Sequence, residues 1–81
     1  MIVWAESDTT EAAILAPIEF AADVDGGRAP LQYSWNFGDG TDSRERNPAH
    51  TFAEAGTYLV DMHVTDARGE VDTDFLEIEI E

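Results

Sequence analysis

The sequence predicts an all-β chain, an antiparallel sandwich of about seven strands. Two patterns carry that reading. Apolar and polar residues alternate with period two over residues 31–37, 58–64 and 76–80, and that period puts one face of a strand in a core and the other in water. Clusters of Gly, Asp, Asn and Pro punctuate the runs, and no stretch sustains the period of an amphipathic helix. A face as apolar as Leu31, Tyr33, Trp35 and Phe37 needs a second sheet over it.

Length and charge set the outer limits. The 81 residues make one domain, read as spanning 1–81, with residues 1–16 as a looser N-terminal edge. Without cysteine there is neither a disulfide nor a thiolate metal site. Eighteen Asp and Glu face four Arg and no Lys, for a net charge of -14. Phosphate contacts to nucleic acid need clustered basic residues, so nucleic-acid binding is excluded as an expectation. No apolar run approaches the roughly 20 residues of a membrane-spanning helix, so membrane insertion is not expected. The start, Met1-Ile2-Val3-Trp4-Ala5-Glu6, lacks the basic and long apolar regions of a secretory signal. It reads either as an excised module or as a small protein without an export signal of its own. A lysine-free acidic surface suits a high-salt (halophilic) setting or plain solubility.

Taken in order, residues 2–5 form a short apolar edge strand and residues 6–11 a polar loop. Residues 12–15 are too short before Pro17 for a stable helix and read as a strand extension or irregular edge. In residues 17–24, Ile18, Phe20, Ala22 and Val24 alternate with Glu19, Ala21 and Asp23, which predicts a strand. Asp25-Gly26-Gly27-Arg28-Ala29-Pro30 is a turn. The strand at 31–37 follows and ends at Gly38-Asp39-Gly40, where glycine accepts the positive φ of a tight turn. Residues 41–48 are expected to cross between sheets, and His50-Thr51-Phe52 to be briefly extended. The clearest alternation has Tyr58, Val60, Met62 and Val64 inward. Asp66-Ala67-Arg68-Gly69 is a hairpin-type loop. The last strand, 71–80, puts Leu76, Ile78 and Ile80 inward. Phe75 then falls on the polar face, as a bulge or as an exposed contact.

Tyr58, two residues after Gly56 at the start of the penultimate strand, sits where immunoglobulin-like sandwiches form a tyrosine corner. The succession Trp35-Asn36-Phe37-Gly38-Asp39-Gly40-Thr41, Asn47-Pro48-Ala49-His50-Thr51-Phe52, Gly56-Thr57-Tyr58-Leu59-Val60 and Val64-Thr65-Asp66-Ala67-Arg68-Gly69 closely resembles the polycystic kidney disease (PKD) domain family. It departs from the family's pattern at Asn36, where Asp is frequent. The resemblance implies an immunoglobulin-like fold and a non-catalytic surface module, with a protein partner: an assembly scaffold or neighbouring domains. It suits a virion decoration subunit or a cell-envelope protein. The alternative is a calcium- or polysaccharide-binding linker of a secreted or S-layer protein. The expected location is accordingly extracellular or on a particle surface.

Candidate chemistry is sparse. Asp23, Asp25 and Asp66 lie on two loops that a sandwich brings to one end, and hard oxygen ligands suit Ca²⁺. Glu6, Ser7 or Asp8 is a further donor if the first loop reaches that end. The spacing does not fit an EF-hand. The Gly38–Asp42 turn is a second candidate loop, though such a turn closes a strand without any ligand. His50 and His63 lack zinc spacing. Asp72 and Asp74 imitate an acid–base pair, but a solvated charged face accounts for them. No enzyme is expected. Trp4 and Phe75 are the candidate interaction residues, with edge packing as the other reading.

Overall fold

A computed structural model describes residues 1–81. Eight strands form: β1 (Ile2–Ser7), β2 (Glu11–Ala12), β3 (Ile18–Asp25), β4 (Gln32–Asn36), β5 (Asp42–Ser43), β6 (Ala49–His50), β7 (Gly56–Thr65) and β8 (Val71–Ile80). They build a three-stranded sheet in the order β1-β3-β6 and a five-stranded sheet in the order β2-β8-β7-β4-β5. The count exceeds the expected seven through three two-residue strands, β2, β5 and β6. No helix forms.

The inward positions follow the period-two pattern. Val3 and Ala5 from β1, and Ile18, Phe20 and Ala22 from β3, face Trp35, Val60, Met62, Val64, Ile78 and Ile80 from the other sheet. Trp35 is fully buried and tilts against Phe20, with ring centroids 5.6 Å apart. A core of 13 buried apolar residues holds a chain of this size together, and burying a large side chain contributes roughly 1.5–3 kcal/mol. Each of the big rings is therefore a sizeable share of the stability of so small a domain.

Residues 1–12 change sheets. β1 is hydrogen-bonded to β3, antiparallel, from Ile2↔Asp25 to Ser7↔Phe20. After Ser7 the chain leaves that sheet, and β2 joins the five-stranded one, parallel to β8 at Glu11↔Glu79 and Ala12↔Ile80. The N-terminal segment therefore runs beside β8 along nearly its whole length. One bond stitches β1 to β8 directly: the Ala5 amide donates to Asp74 Oδ2 at 2.8 Å. Asp74 has inward parity on β8 and is half-buried. Its carboxylate satisfies an amide on the β1 edge that would otherwise lie unpaired.

The β7–β8 register runs unbroken from Gly56↔Ile80 to Thr65↔Val71. Phe75 therefore marks no bulge. It stands outward opposite Asp61.

Candidate interaction surface

The residues that look most like a site in the sequence turn out to hold the fold. The turn after β4 is built around Asp39. Its Oδ1 accepts the Thr41 amide at 3.0 Å and the Thr41 hydroxyl, and its Oδ2 lies 2.8 Å from His50 Nε2 on β6. Gly38 adopts φ +78°, and a Cβ there would lie 2.6 Å from the Leu59 carbonyl oxygen. Glycine is required both for the left-handed backbone and for the close approach to β7. The His50 ring stacks on Phe37 (centroids 4.0 Å apart, planes within 8°) and meets Phe52 edge-on at 4.7 Å. Phe52 in turn packs on Tyr58 at 4.4 Å. The Tyr58 hydroxyl donates to the Glu54 carbonyl at 2.8 Å, the tyrosine corner that its position predicts.

Trp35, Phe37, His50, Phe52 and Tyr58 thus form one aromatic run. Asp39 ties its polar member to the turn. Burial alone would raise the Asp39 carboxyl, but the Thr41 hydroxyl, His50 and the Thr41 amide outweigh it, and the group titrates below the usual carboxylate range. The trio of Thr41, His50 and Asp39 is not a catalytic relay. A histidine relay needs the hydroxyl on one ring nitrogen and the carboxylate on the other. Here Thr41 Oγ1, at 3.3 Å, and Asp39 both meet Nε2.

Asp23 and Asp25 fall on β3 rather than in a loop. The loop after β3 does meet the Asp66 loop at one end of the sandwich, where the Ala67 amide donates to the Arg28 carbonyl at 2.8 Å. Asp66 is buried, and its carboxylate accepts the amides of Arg68 and Glu70 (both 2.9 Å) and of Arg28 (3.3 Å). Burial would raise this carboxyl too. The amides of Glu70, Arg28 and Arg68 and the Arg68 charge prevail, and it is held below the usual range. Asp23 and Asp25 lie on β3, exposed, opposite Trp4 and Ile2. The structure gathers no three Asp, Glu or His side chains where they could share a cation. The hollow beside Asp66 is lined by Arg28 and Arg68 as well as Glu70. Both oxygens of Asp66 are already engaged, and the neighbours are cationic, so this donor set does not fit Ca²⁺. Asp72 and Asp74 are engaged as well, accepting from Thr73 and Ala5.

What remains without a structural task is apolar. Ile2, Trp4, Val71 and Phe75 are 55, 44, 59 and 62% exposed. Trp4 and Phe75 are the chain neighbours of Ala5 and Asp74, the bonded pair of the seam, and both have outward parity. The two aromatics flank the β1–β8 junction. Strands β1, β3 and β8 carry Glu6, Glu19, Asp23, Asp25, Asp72, Asp74, Glu77 and Glu79 and no basic residue. The four arginines all sit in loops.

A family model described as the PKD domain matches residues 2–80. The chain belongs to the PKD domain family. Among solved structures, the PKD1 domain of Vibrio anguillarum Epp superposes with a TM-score of 0.79 at 28% identity, covering 99% of this chain and 92% of that one. A chain from a study of the promiscuous specificity of carbohydrate-binding modules of the β-sandwich superfamily superposes at 0.83 with 25% identity, covering 96% of this chain and 33% of that one. Among curated proteins, the collagenase ColA of Bacillus cereus is 55% identical over 40 residues, which are 49% of this chain and 4% of that protein. This PKD domain thus corresponds to a small part of the curated relatives it matches. The residues that carry the PKD resemblance are those of the aromatic run, its turn and the stretch 64–69 that holds Asp66. Trp4 and Phe75 lie outside them.

Proposed function

We propose that this PKD domain is a non-catalytic module that works outside the cell and docks on polypeptide through the apolar seam between β1 and β8. The observation behind it is the exposure of Ile2 and Trp4 on β1 and of Val71 and Phe75 on β8, one pair on each side of the seam, on a fold whose core is complete without them. Exposed apolar patches rimmed by polar residues mark interaction sites, and aromatic anchors dominate interface energetics. The collagenase and metalloprotease relatives support an extracellular setting and a protein partner, either a neighbouring domain or a polypeptide substrate. They favour that setting over a subunit on a virus particle.

A second reading is carbohydrate binding, favoured by the likeness to a chain from a study of carbohydrate-binding modules. The outer face of the five-stranded sheet argues against it, because Phe75 is the one aromatic among the outward Gln32, Ser34, Asn36, Thr57 and His63, and a single ring makes no platform. The two readings separate on immobilised gelatin, cellulose and chitin. Docking on polypeptide predicts retention on gelatin that is lost in Trp4→Ala and Phe75→Ala, both still folded. Retention on the polysaccharides alone would replace it with the second reading.

A further inference from the structure

The outer face of the three-stranded sheet carries a groove of about 450 Å³ directly below Trp4. Its shape follows from cross-strand pairing. Glu6 stands opposite Ala21 on β3, and Glu19 opposite Ala49 on β6. Long carboxylates beside methyl groups make walls and a floor. Asp8 closes one end, its Oδ1 accepting the Glu19 amide at 3.2 Å, and Asn47 lines the side beyond β3. Trp4 lies two residues before Glu6 on the same strand face, roughly 7 Å away along the strand, with Asp23 opposite it.

The carboxylates of Glu6 and Glu19 have no cationic partner, because the molecule's single ion pair is His50 with Asp39. The space is about fifteen times the ~30 Å³ that one water occupies, which is too open to clasp a bare metal ion and wide enough for a long side chain with its backbone. No three of its acids are placed to share a cation. A second copy of the chain would bring the same charge of -14 to this face, and like-charge repulsion opposes that pairing.

We infer that this face seats a basic, extended segment of the partner polypeptide, with an arginine or lysine side chain lying between Glu6 and Glu19 and a neighbouring cation or apolar group resting on Trp4. This deepens, and rests on, the polypeptide-docking reading above. Charge complementarity carries the choice of occupant. A guanidinium offers several donors to paired carboxylates and stacks on an indole face.

The test uses the whole chain and two short extended peptides, one with alternate arginines and one with citrulline at those positions. Titration calorimetry, with Trp4 emission as a second readout, should show the arginine peptide binding and the citrulline peptide failing to bind. The double variant Glu6→Gln with Glu19→Gln should weaken binding about tenfold, the combined loss of two partly exposed ion pairs. The variant Glu77→Gln with Glu79→Gln removes the same charge from the opposite sheet and should change affinity less than about twofold. Equal losses in both variants, or equal binding of the citrulline peptide, would overturn the groove and leave only diffuse attraction. If the arginine peptide fails while Trp4-dependent retention on gelatin persists, the basic segment is refuted and docking on polypeptide stands. If neither occurs, both fall.

Discussion

The turn after β4 and the seam between β1 and β8 differ in how their side chains are used. At the turn, every group that looks reactive has a partner within the chain: Asp39 holds Thr41 and His50, His50 stacks on Phe37, and Tyr58 caps Glu54. At the seam, the groups are unremarkable by type, yet Trp4 and Phe75 are left in water on either side of a single Ala5–Asp74 bond. Chemical character is therefore a poor guide to role here. The polar motif is spent on folding, and the apolar residues outside it are free for contact.

Substitutions sharpen that contrast, and the core end should give the largest effects. Trp35→Ala should cost about 3–5 kcal/mol, read as a fall in urea midpoint or outright failure to fold. Gly38→Ala should follow at about 2–3 kcal/mol, since it combines positive φ with a clash against Leu59. A Gly38→Ala variant of unchanged stability would mean that the turn is not pinned against β7. His50→Ala removes a stacked ring and a charge-assisted bond together, for about 2 kcal/mol.

Acid gives an independent probe of the same turn. Asp39 and Asp66 are both held below the ordinary carboxylate value in the fold. Depressed carboxylates contribute stability that is present above the unfolded value, near pH 4, and lost as pH falls through the folded one. Chemical denaturation from pH 6 downward should show stability falling below about pH 4, with a shallower fall in Asp39→Asn. A slope unchanged by that substitution would detach Asp39 from the latch. At the seam, Asp74→Ala should cost only about 1 kcal/mol. Trp4→Ala and Phe75→Ala should stay within about 0.5 kcal/mol of the parent while losing contact with a partner. A large loss of stability in either would return it to the packing role. Calcium against chelator at fixed high ionic strength should leave the thermal midpoint unmoved, and a clear rise would restore the cation site that the geometry does not assemble.

Much of this architecture was legible in the sequence. Alternation alone placed Phe20, Trp35, Met62 and Ile78 inward, because a one-residue slip would turn every one of them outward. The latch was only half visible. Asp39 was readable as a turn residue, but nothing in its eleven-residue separation from His50 says that the two meet. That contact depends on β6 docking beside β3. The acids named as calcium donors, Asp23, Asp25 and Asp66, are not gathered at one point, for a related reason. Asp23 and Asp25 belong to β3 rather than to a loop, and Asp66 accepts from three amides, a backbone demand that is invisible in a list of side chains. The groove was unreadable as well, since its depth comes from Glu6 facing Ala21 and Glu19 facing Ala49 across strands.

The sheet switch of the first twelve residues has a mechanical consequence. Met1 lies near Val71 at the start of β8, while Glu81 follows its end and exchanges backbone bonds with Ala12 and Ile14. The two termini are therefore separated by the ten residues of β8, about 33 Å at the usual strand rise. Tension applied at Met1 and Glu81 would pull two parallel neighbours in opposite directions along their axes. The bonds between β2 and β8 would then be sheared together rather than peeled in sequence, so a tug along the molecule meets its resistance all at once.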